Sequence, residues 1–447
     1  MKSARLWIRD PLAILADNCD GGLVIEGTRI VECVGAGHRP SAPVDETFDA
    51  GRHVVLPGLV NTHHHFFQTL TRAHPVAINK PLFAWLQALY PVWEKLTPEA
   101  LRLATRVAYV ELLLSGCTTA GDHHYLFPNG LEHSIDIQVE EARSLGIRAF
   151  ITRGSMSDRD SGLTPAALLQ DDDAILEDSE RALRLFHDPH PGALVQIGLA
   201  PCSPFNVTKR LMRESARLAQ AHDCRLHTHL GETLDEQAYC LARFGQRPVD
   251  YLEEVGWMSS RTWLAHGIHF NDDEVRRLGK AGVGVCHCPT SNMVLASGRC
   301  RTCELETAGS PVGLGVDGSA SNDNSNLMES VRHALMLGRI TYGAEAVTHR
   351  DALRWATEGS AACLGRADIG RIEPGREADL AMFTLEELRF SGSHDPLAAL
   401  VHCGAHRADR VMIAGQWRVI DGEPLGIDTE GLRRSHSRLA KELFGAG

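Results

Sequence analysis

The sequence predicts an α/β fold: a (β/α)8 barrel joined to a small β-sandwich built from both chain ends. Three features lead there. From residue 57 onward, apolar strand-like runs alternate with longer stretches of helical periodicity, the pattern of a parallel sheet covered by helices. Eight such runs can be counted, the number that closes a barrel. Before residue 57 and again after residue 368, the texture changes to short β-like pieces set between glycine turns.

In chain order, Gly22-Leu23-Val24-Ile25 and Arg29-Ile30-Val31-Glu32-Cys33-Val34 read as strands of the N-terminal β-region. The eight barrel strands are expected at Val54–His63, Thr118–His124, Arg148–Gly154, Leu194–Pro201, Arg225–Leu230, Thr262–His266, Gly282–Pro289 and Val312–Gly318. Helices are expected between them at Pro98–Ser115, Gly130–Leu145, Pro165–Phe186, Val207–His222, Asp272–Lys280 and Asn326–Arg339, with a last one at Arg350–Leu364. Strand texture returns in Ala378–Thr384 and Arg410–Ile420. The expected division is therefore residues 1–56 with 368–425 as a β-sandwich, 57–367 as a TIM-like barrel, and 426–447 as a C-terminal helical tail.

At 447 residues, 43% hydrophobic and 23% charged, the chain can bury a large core. A net charge of −12, with no run of lysines and arginines, argues against a surface that tracks nucleic-acid phosphates. The first ten residues lack the apolar core of a signal peptide, and no stretch of about eighteen apolar residues occurs, so a soluble cytoplasmic protein is expected. Twelve cysteines scattered through so long a chain read as reduced, buried thiols. The Cys300/Cys303 and Cys286/Cys288 pairs lack zinc-ribbon spacing and are assigned to packing.

The chemistry concentrates at the C-terminal ends of the expected strands, where barrels carry their sites. The first ends in His63-His64-His65, and side-chain alternation puts His63 and His65 on one face with His64 on the other. The second ends in Asp122-His123-His124, the fifth in His227-Thr228-His229-Leu230-Gly231-Glu232, the sixth in Ala265-His266 and the eighth in Gly315-Val316-Asp317-Gly318. Neutral imidazoles with one carboxylate form a nitrogen and oxygen donor set suited to zinc or iron(II). A metal so held lowers the pKa of bound water, and a nearby carboxylate can shuttle the protons. Glu232, three residues past His229, is placed for that task, and Asp317 is costly to bury unless paired or metal-bound.

These motifs, with Pro57-Gly58-Leu59-Val60-Asn61-Thr62 ahead of the first histidines, His287-Cys288-Pro289-Thr290-Ser291-Asn292 and Gly375-Arg376-Glu377-Ala378-Asp379-Leu380, resemble the amidohydrolase superfamily in its guanine deaminase and chlorohydrolase branch. The resemblance runs almost the whole length of the chain. It implies a metal-dependent barrel in which His63, His65, His229 and Asp317 ligate one divalent metal per chain, zinc with iron(II) as the alternative. It further implies Glu232 as proton shuttle, Asp317 as activator of the water and His266 as the residue orienting it. Two-metal relatives carry a modified lysine at the end of strand four; Val195–Pro201 has none, so one metal is expected.

Gln68 occupies the position at which guanine deaminases read the purine, and an amide offers the donor and acceptor that match a lactam edge. The runs Asn61–Arg72 and Gly121–Tyr125 resemble those of bacterial purine deaminases, and this resemblance implies hydrolytic deamination of a purine base, 8-oxoguanine and water to urate and ammonia. Trp85 is a candidate aromatic lid, and His123, Tyr125, Ser203 and Phe205 are further candidate substrate contacts from the ends of strands two and four. The partner expected is thus a small purine, with no nucleic acid and no membrane, and self-association of the barrel is allowed for. An s-triazine amino- or chlorohydrolase would use the same metal set with less need of Gln68. A non-catalytic barrel should have lost ligands, and none is missing here.

Overall fold

The computed structural model describes residues 4–445. Eight parallel strands form one sheet in sequential order: Leu59–Asn61, Cys117–His124, Arg148–Ser155, Val195–Pro201, Leu226–Leu230, Thr262–His266, Gly284–His287 and Val312–Leu314. The first and last meet through Thr62 N, which donates to Leu314 O at 3.1 Å, and Asp317 N, which donates to His63 O at 3.1 Å. Every residue of these strands is buried, because barrel side chains fill one face and helices cover the other. Helices such as Pro98–Leu114, Ser134–Leu145 and Lys209–Ala221 return the chain between strands.

The run expected as one strand from Val54 to His63 is two. His53–Pro57 pairs antiparallel with Leu380–Thr384, outside the barrel, and Leu59–Asn61 pairs parallel with Cys117–His124 inside it. The chain changes sheets at Gly58, whose N–H donates to Asp379 O at 2.8 Å. Only glycine fits there, since a Cβ would lie 2.2 Å from Thr118 Oγ1.

Two further sheets come from the chain ends. One has the order Arg29–Val34, Gly22–Glu26, Arg5–Arg9, Glu46–Asp49. The other runs Glu423–Pro424, Gln416–Ile420, Arg410–Ile413, Leu380–Thr384, His53–Pro57, Ala13–Ile14, so that it interleaves N- and C-terminal segments. Ile8, Leu23, Ile25, Val55, Leu380, Met382 and Met412 share one buried cluster between them. At the junction with the barrel, buried Arg148 donates from Nε to Asp379 Oδ2 at 2.7 Å and from Nη2 to Glu377 Oε2 at 3.0 Å. The Gly375–Leu380 motif is thereby explained as a structural clasp.

Several expectations change. The helix expected at Pro165–Phe186 begins at Asp172, capped by Asp171, after a separate turn at Ala166–Leu168. The expected Arg350–Leu364 helix is broken by a π-helical stretch at Trp355–Gly359. A helix at Leu82–Trp93, unforeseen, carries Pro91 in its interior. The tail forms the helix Thr429–Phe444, with Leu439 and Phe444 packed in the cluster of Phe67, Trp85 and Trp93. Residues 1–3 and 446–447 of the expected end segments lie outside the described residues. Contrary to the all-thiol expectation, Cys19 and Cys33 form a disulfide, while ten other cysteines are free. No helix among the described residues is long and apolar enough to cross a membrane.

Candidate metal centre and its cavity

The histidines follow directly from the strand ends. His63 and His65 sit just past Leu59–Asn61 on the barrel axis, while His64 turns away to Ser325 Oγ at 2.8 Å. His229 is in the fifth strand, His266 ends the sixth, and Asp317 follows the eighth. His266 and Asp317 both hold left-handed backbone conformations, with φ of 76° and 65°. That is costly for residues with a Cβ, and such strain collects where function over-determines geometry.

Three imidazoles and one carboxylate converge. His65 Nδ1 lies 2.8 Å from His123 O, and His229 Nδ1 lies 2.7 Å from Cys202 O. A carbonyl only accepts, so both rings carry their proton on Nδ1 and free Nε2 as a ligand atom. The two Nε2 atoms are 3.2 Å apart. Asp317 Oδ1 is 3.3 Å from both His63 Nε2 and His65 Nε2. His63 Nε2 is buried and makes no hydrogen bond, which a buried polar nitrogen tolerates poorly unless a cation satisfies it. The donor set and this orphaned nitrogen fit a divalent metal. His63, His65 and Asp317 form one group able to hold such an ion, and His63, His229 and His266 another.

The electrostatics agree. Burial, reinforced by neighbouring His63, pushes His65 down to about 3, and burial likewise lowers His63 and His229, so all three are neutral at pH 7. Burial opposes the charge of Asp317, but His266, itself raised above its ordinary value, helps hold the carboxyl well below its own. Glu232 is raised by burial to about 7, with His266 pulling the other way. His266 Nε2 stands 3.5 Å from Glu232 Oε2 and 3.9 Å from Asp317 Oδ2, while its Nδ1 donates to Asn292 Oδ1 at 2.9 Å. Glu236 holds the loop that carries Glu232, accepting from Gly231 N at 2.9 Å and Glu232 N at 3.0 Å.

A small cavity opens over these groups. His65, His229, Glu232, His266 and Asp317 line it, together with Gln68, Trp85, Tyr125, Ser203 and Phe205 of the sequence-selected residues. Gln68 lies in the turn Phe66–Thr71, and its Oε1 accepts from Ala320 N at 3.2 Å. Gly318 permits this approach, since a Cβ there would meet Gln68 Oε1 at 1.9 Å. Trp85 Nε1 donates to Ala320 O at 3.2 Å, so both side chains are tied to the loop after Asp317. Ser203 Oγ donates to Asn206 Oδ1 at 2.6 Å.

His123, selected as a substrate contact, does not line the cavity. Its ring stacks on His229 at 4.8 Å and its Nε2 meets Ala200 O at 2.8 Å, which places it beneath the candidate metal-binding histidines. His124 turns outward against Phe67 and Phe127. The sequence reading missed Tyr90, Asn206, Leu295 and Ser321 in the wall. Tyr90 follows the apolar period of Trp85, Leu86, Leu89 and Trp93, which signals one face of the unforeseen helix.

Fold and site together define a hydrolase barrel with buried histidine clusters able to hold a metal, and the chain belongs to the amidohydrolase family, whose model matches residues 54–418. The chain is 62% identical, over 99% of both lengths, to a protein of Pseudomonas aeruginosa described as 8-oxoguanine deaminase. It is 34% identical to an isoxanthopterin deaminase from an unknown prokaryotic organism, over 90% of this chain and 88% of that one. Among solved structures, the atrazine chlorohydrolase TrzN from Arthrobacter aurescens TC1 complexed with zinc superposes with a TM-score of 0.91 at 31% identity, covering 97% of this chain and all of that one.

Proposed function

We propose that the chain is an aminohydrolase converting 8-oxoguanine and water to urate and ammonia. The observation that carries this reading is the 62% identity, along 99% of both chains, to the Pseudomonas aeruginosa protein of that description. Gln68 in the cavity wall supports a purine. Its Oε1 accepts from Ala320 N, and its amide nitrogen, beside Tyr125, is the group able to donate to a ring carbonyl.

His63, His65, His229 and Asp317 would hold one metal, and zinc is the ion their neutral imidazoles and single carboxylate suit. When bound, it supplies Lewis acidity and brings a water's pKa toward neutrality. The remaining chemistry belongs to the chain. Water adds to C2 of the purine, the C2–N bond to the exocyclic amine breaks, and the nitrogen leaves as ammonia. Glu232, raised to about 7 by burial, takes one proton of the water and gives it to a ring nitrogen, and the second water proton passes from the new hydroxyl to the leaving nitrogen as the C2 carbonyl forms. Asp317 assists that transfer, and His266, held by Asn292, orients the incoming oxygen. Trp85, Tyr125 and Phe205 exclude bulk water from the cavity and give the flat ring an apolar wall.

An s-triazine substrate is the competing reading, favoured by the likeness to TrzN at 31% identity. Ammonia release from 8-oxoguanine, guanine and isocytosine, measured in parallel with alkylamine release from hydroxyatrazine on the same zinc-loaded protein, separates the two. Fast turnover of 8-oxoguanine, with the others well behind, is expected. Preferred turnover of hydroxyatrazine would reverse the assignment.

A further inference from the structure

Two of the three ligand histidines have their tautomers set by main-chain carbonyls, His65 by His123 O and His229 by Cys202 O. His63 has no such carbonyl. Its Nδ1 faces the Nε2 of a fourth histidine, His227, at 2.8 Å. His227 is buried, lies outside the cavity wall, and has no part in the chemistry proposed above. Its own Nδ1 lies 2.9 Å from Trp263 O.

The proton count along this chain of atoms has one solution. Trp263 O only accepts, so the single proton of a neutral His227 sits on Nδ1. His227 Nε2 is then a bare acceptor, and the only proton able to fill the 2.8 Å gap is one on His63 Nδ1. A neutral His63 protonated there presents a lone pair at Nε2, the buried nitrogen beside Asp317 that makes no hydrogen bond. Trp263 holds both ends of the arrangement. Its indole stacks on the His227 ring at 4.2 Å and 12°, and its Nε1 donates to Thr62 O at 3.2 Å, the peptide that leads into His63.

We propose that His227 is a positioning residue of the metal centre: by accepting the His63 Nδ1 proton it keeps His63 Nε2 free and aimed as a ligand atom. The proposal rests on the metal reading of His63, His65, His229 and Asp317. It makes His63 the one ligand histidine whose tautomer depends on a side chain, and so the one that a substitution outside the ligand set can disturb.

Zinc affinity measured by competition with a chromogenic chelator tests it, on native protein, His227→Phe and His227→Gln, with apo-protein thermal unfolding recorded for each. Phe keeps a flat ring against Trp263 and removes the acceptor, whereas Gln restores one. Removing a partner of this kind costs about 10–100-fold in metal affinity, so Phe should bind zinc that much more weakly, with Gln between Phe and native. A merely structural residue would lower the apo unfolding temperature and leave zinc affinity of the folded protein as it was. A folded His227→Phe that binds zinc within twofold of native overturns the proposal. If Phe does not fold, the histidine ¹⁵N spectrum of the zinc-loaded native protein decides, with the His227 signals assigned by their loss in His227→Gln. Protonation at Nδ1 of His227 is expected, and protonation at Nε2 overturns it. Failure of the native protein itself to bind zinc refutes the metal reading first, so the two failures are distinguishable.

Discussion

Glu232 Oε2 lies 3.5 Å from His266 Nε2, and both groups are closed off from bulk solvent at the base of the cavity. The pairing shapes both titrations: burial raises Glu232 to about 7 against the pull of His266, and burial of His266 is outweighed by Glu232 and Asp317, which raise it above its ordinary value. A carboxyl that gains and loses a proton near neutrality is what a shuttle needs. Glu232→Gln keeps the shape and a contact to His266 but cannot carry a proton. It should lower kcat by about 10²–10⁴-fold with zinc content unchanged. Retention of more than a tenth of the activity would remove Glu232 from the chemistry.

Asp122 gives a pH-dependent stability. Burial raises it to about 7 from 3.8, although Gln138 Nε2 and Phe66 N donate to it at 2.6 and 2.7 Å. A carboxyl raised on folding contributes stability that is full below its ordinary pKa and is lost as pH rises through about 7. Asp122→Asn removes that loss. The new amide can still accept from Phe66 N, and Gln138, whose Oε1 has no partner, can turn to accept from it. Urea unfolding should show the variant gaining on native protein by roughly 2 kcal/mol between pH 5.5 and pH 8. Parallel stability curves would place the titration elsewhere.

Arg148 should matter for stability and not for turnover. It begins the third barrel strand, at the rim opposite the metal centre, and neutralises Asp379 and Glu377 inside the protein. Arg148→Met leaves buried Asp379 without its cation and Glu377 with only Arg29 at 3.5 Å, at a cost of about 3–5 kcal/mol. The urea midpoint should fall accordingly while kcat of the folded enzyme holds. A loss below about 1 kcal/mol would mean that water already screens the cluster.

Gln68→Leu tests the purine contact. Losing one hydrogen bond to a ring carbonyl should cut kcat/KM for 8-oxoguanine about tenfold, chiefly through KM, and change hydroxyatrazine hydrolysis less. An equal fall for both substrates would point instead to the unpaired Ala320 N–H and a disturbed loop.

Much of this architecture was legible because its rules are local. A strand alternates with period two, so His63 and His65 had to share a face, as did His227 and His229. Barrel chemistry gathers at strand ends, so Glu232, His266 and Asp317 could be picked out before any contact was known. Illegible were features set by encounters between distant segments. The Val54–His63 run looked like one strand because its apolar residues continue across Pro57-Gly58; the partner of His53–Pro57, Leu380–Thr384, lies more than three hundred residues away. The helix bearing Trp85 and Tyr90 was masked by Pro81 and Pro91, and its apolar face buries against Phe67 and the C-terminal helix. Cys19 and Cys33 looked unpaired among twelve scattered cysteines until two adjacent strands brought them together.

The chain's own pattern therefore dictated the barrel, its donors and their shared rim, since periodicity and residue chemistry are carried in the order of residues. Tertiary structure alone decided which nitrogen of each imidazole is engaged, that His123 stacks on His229 while His227 faces His63, and that Gln68 and Trp85 are fastened to Ala320. Those outcomes depend on separations of about 3 Å between groups brought together only by closure of the barrel, and sequence spacing does not encode them.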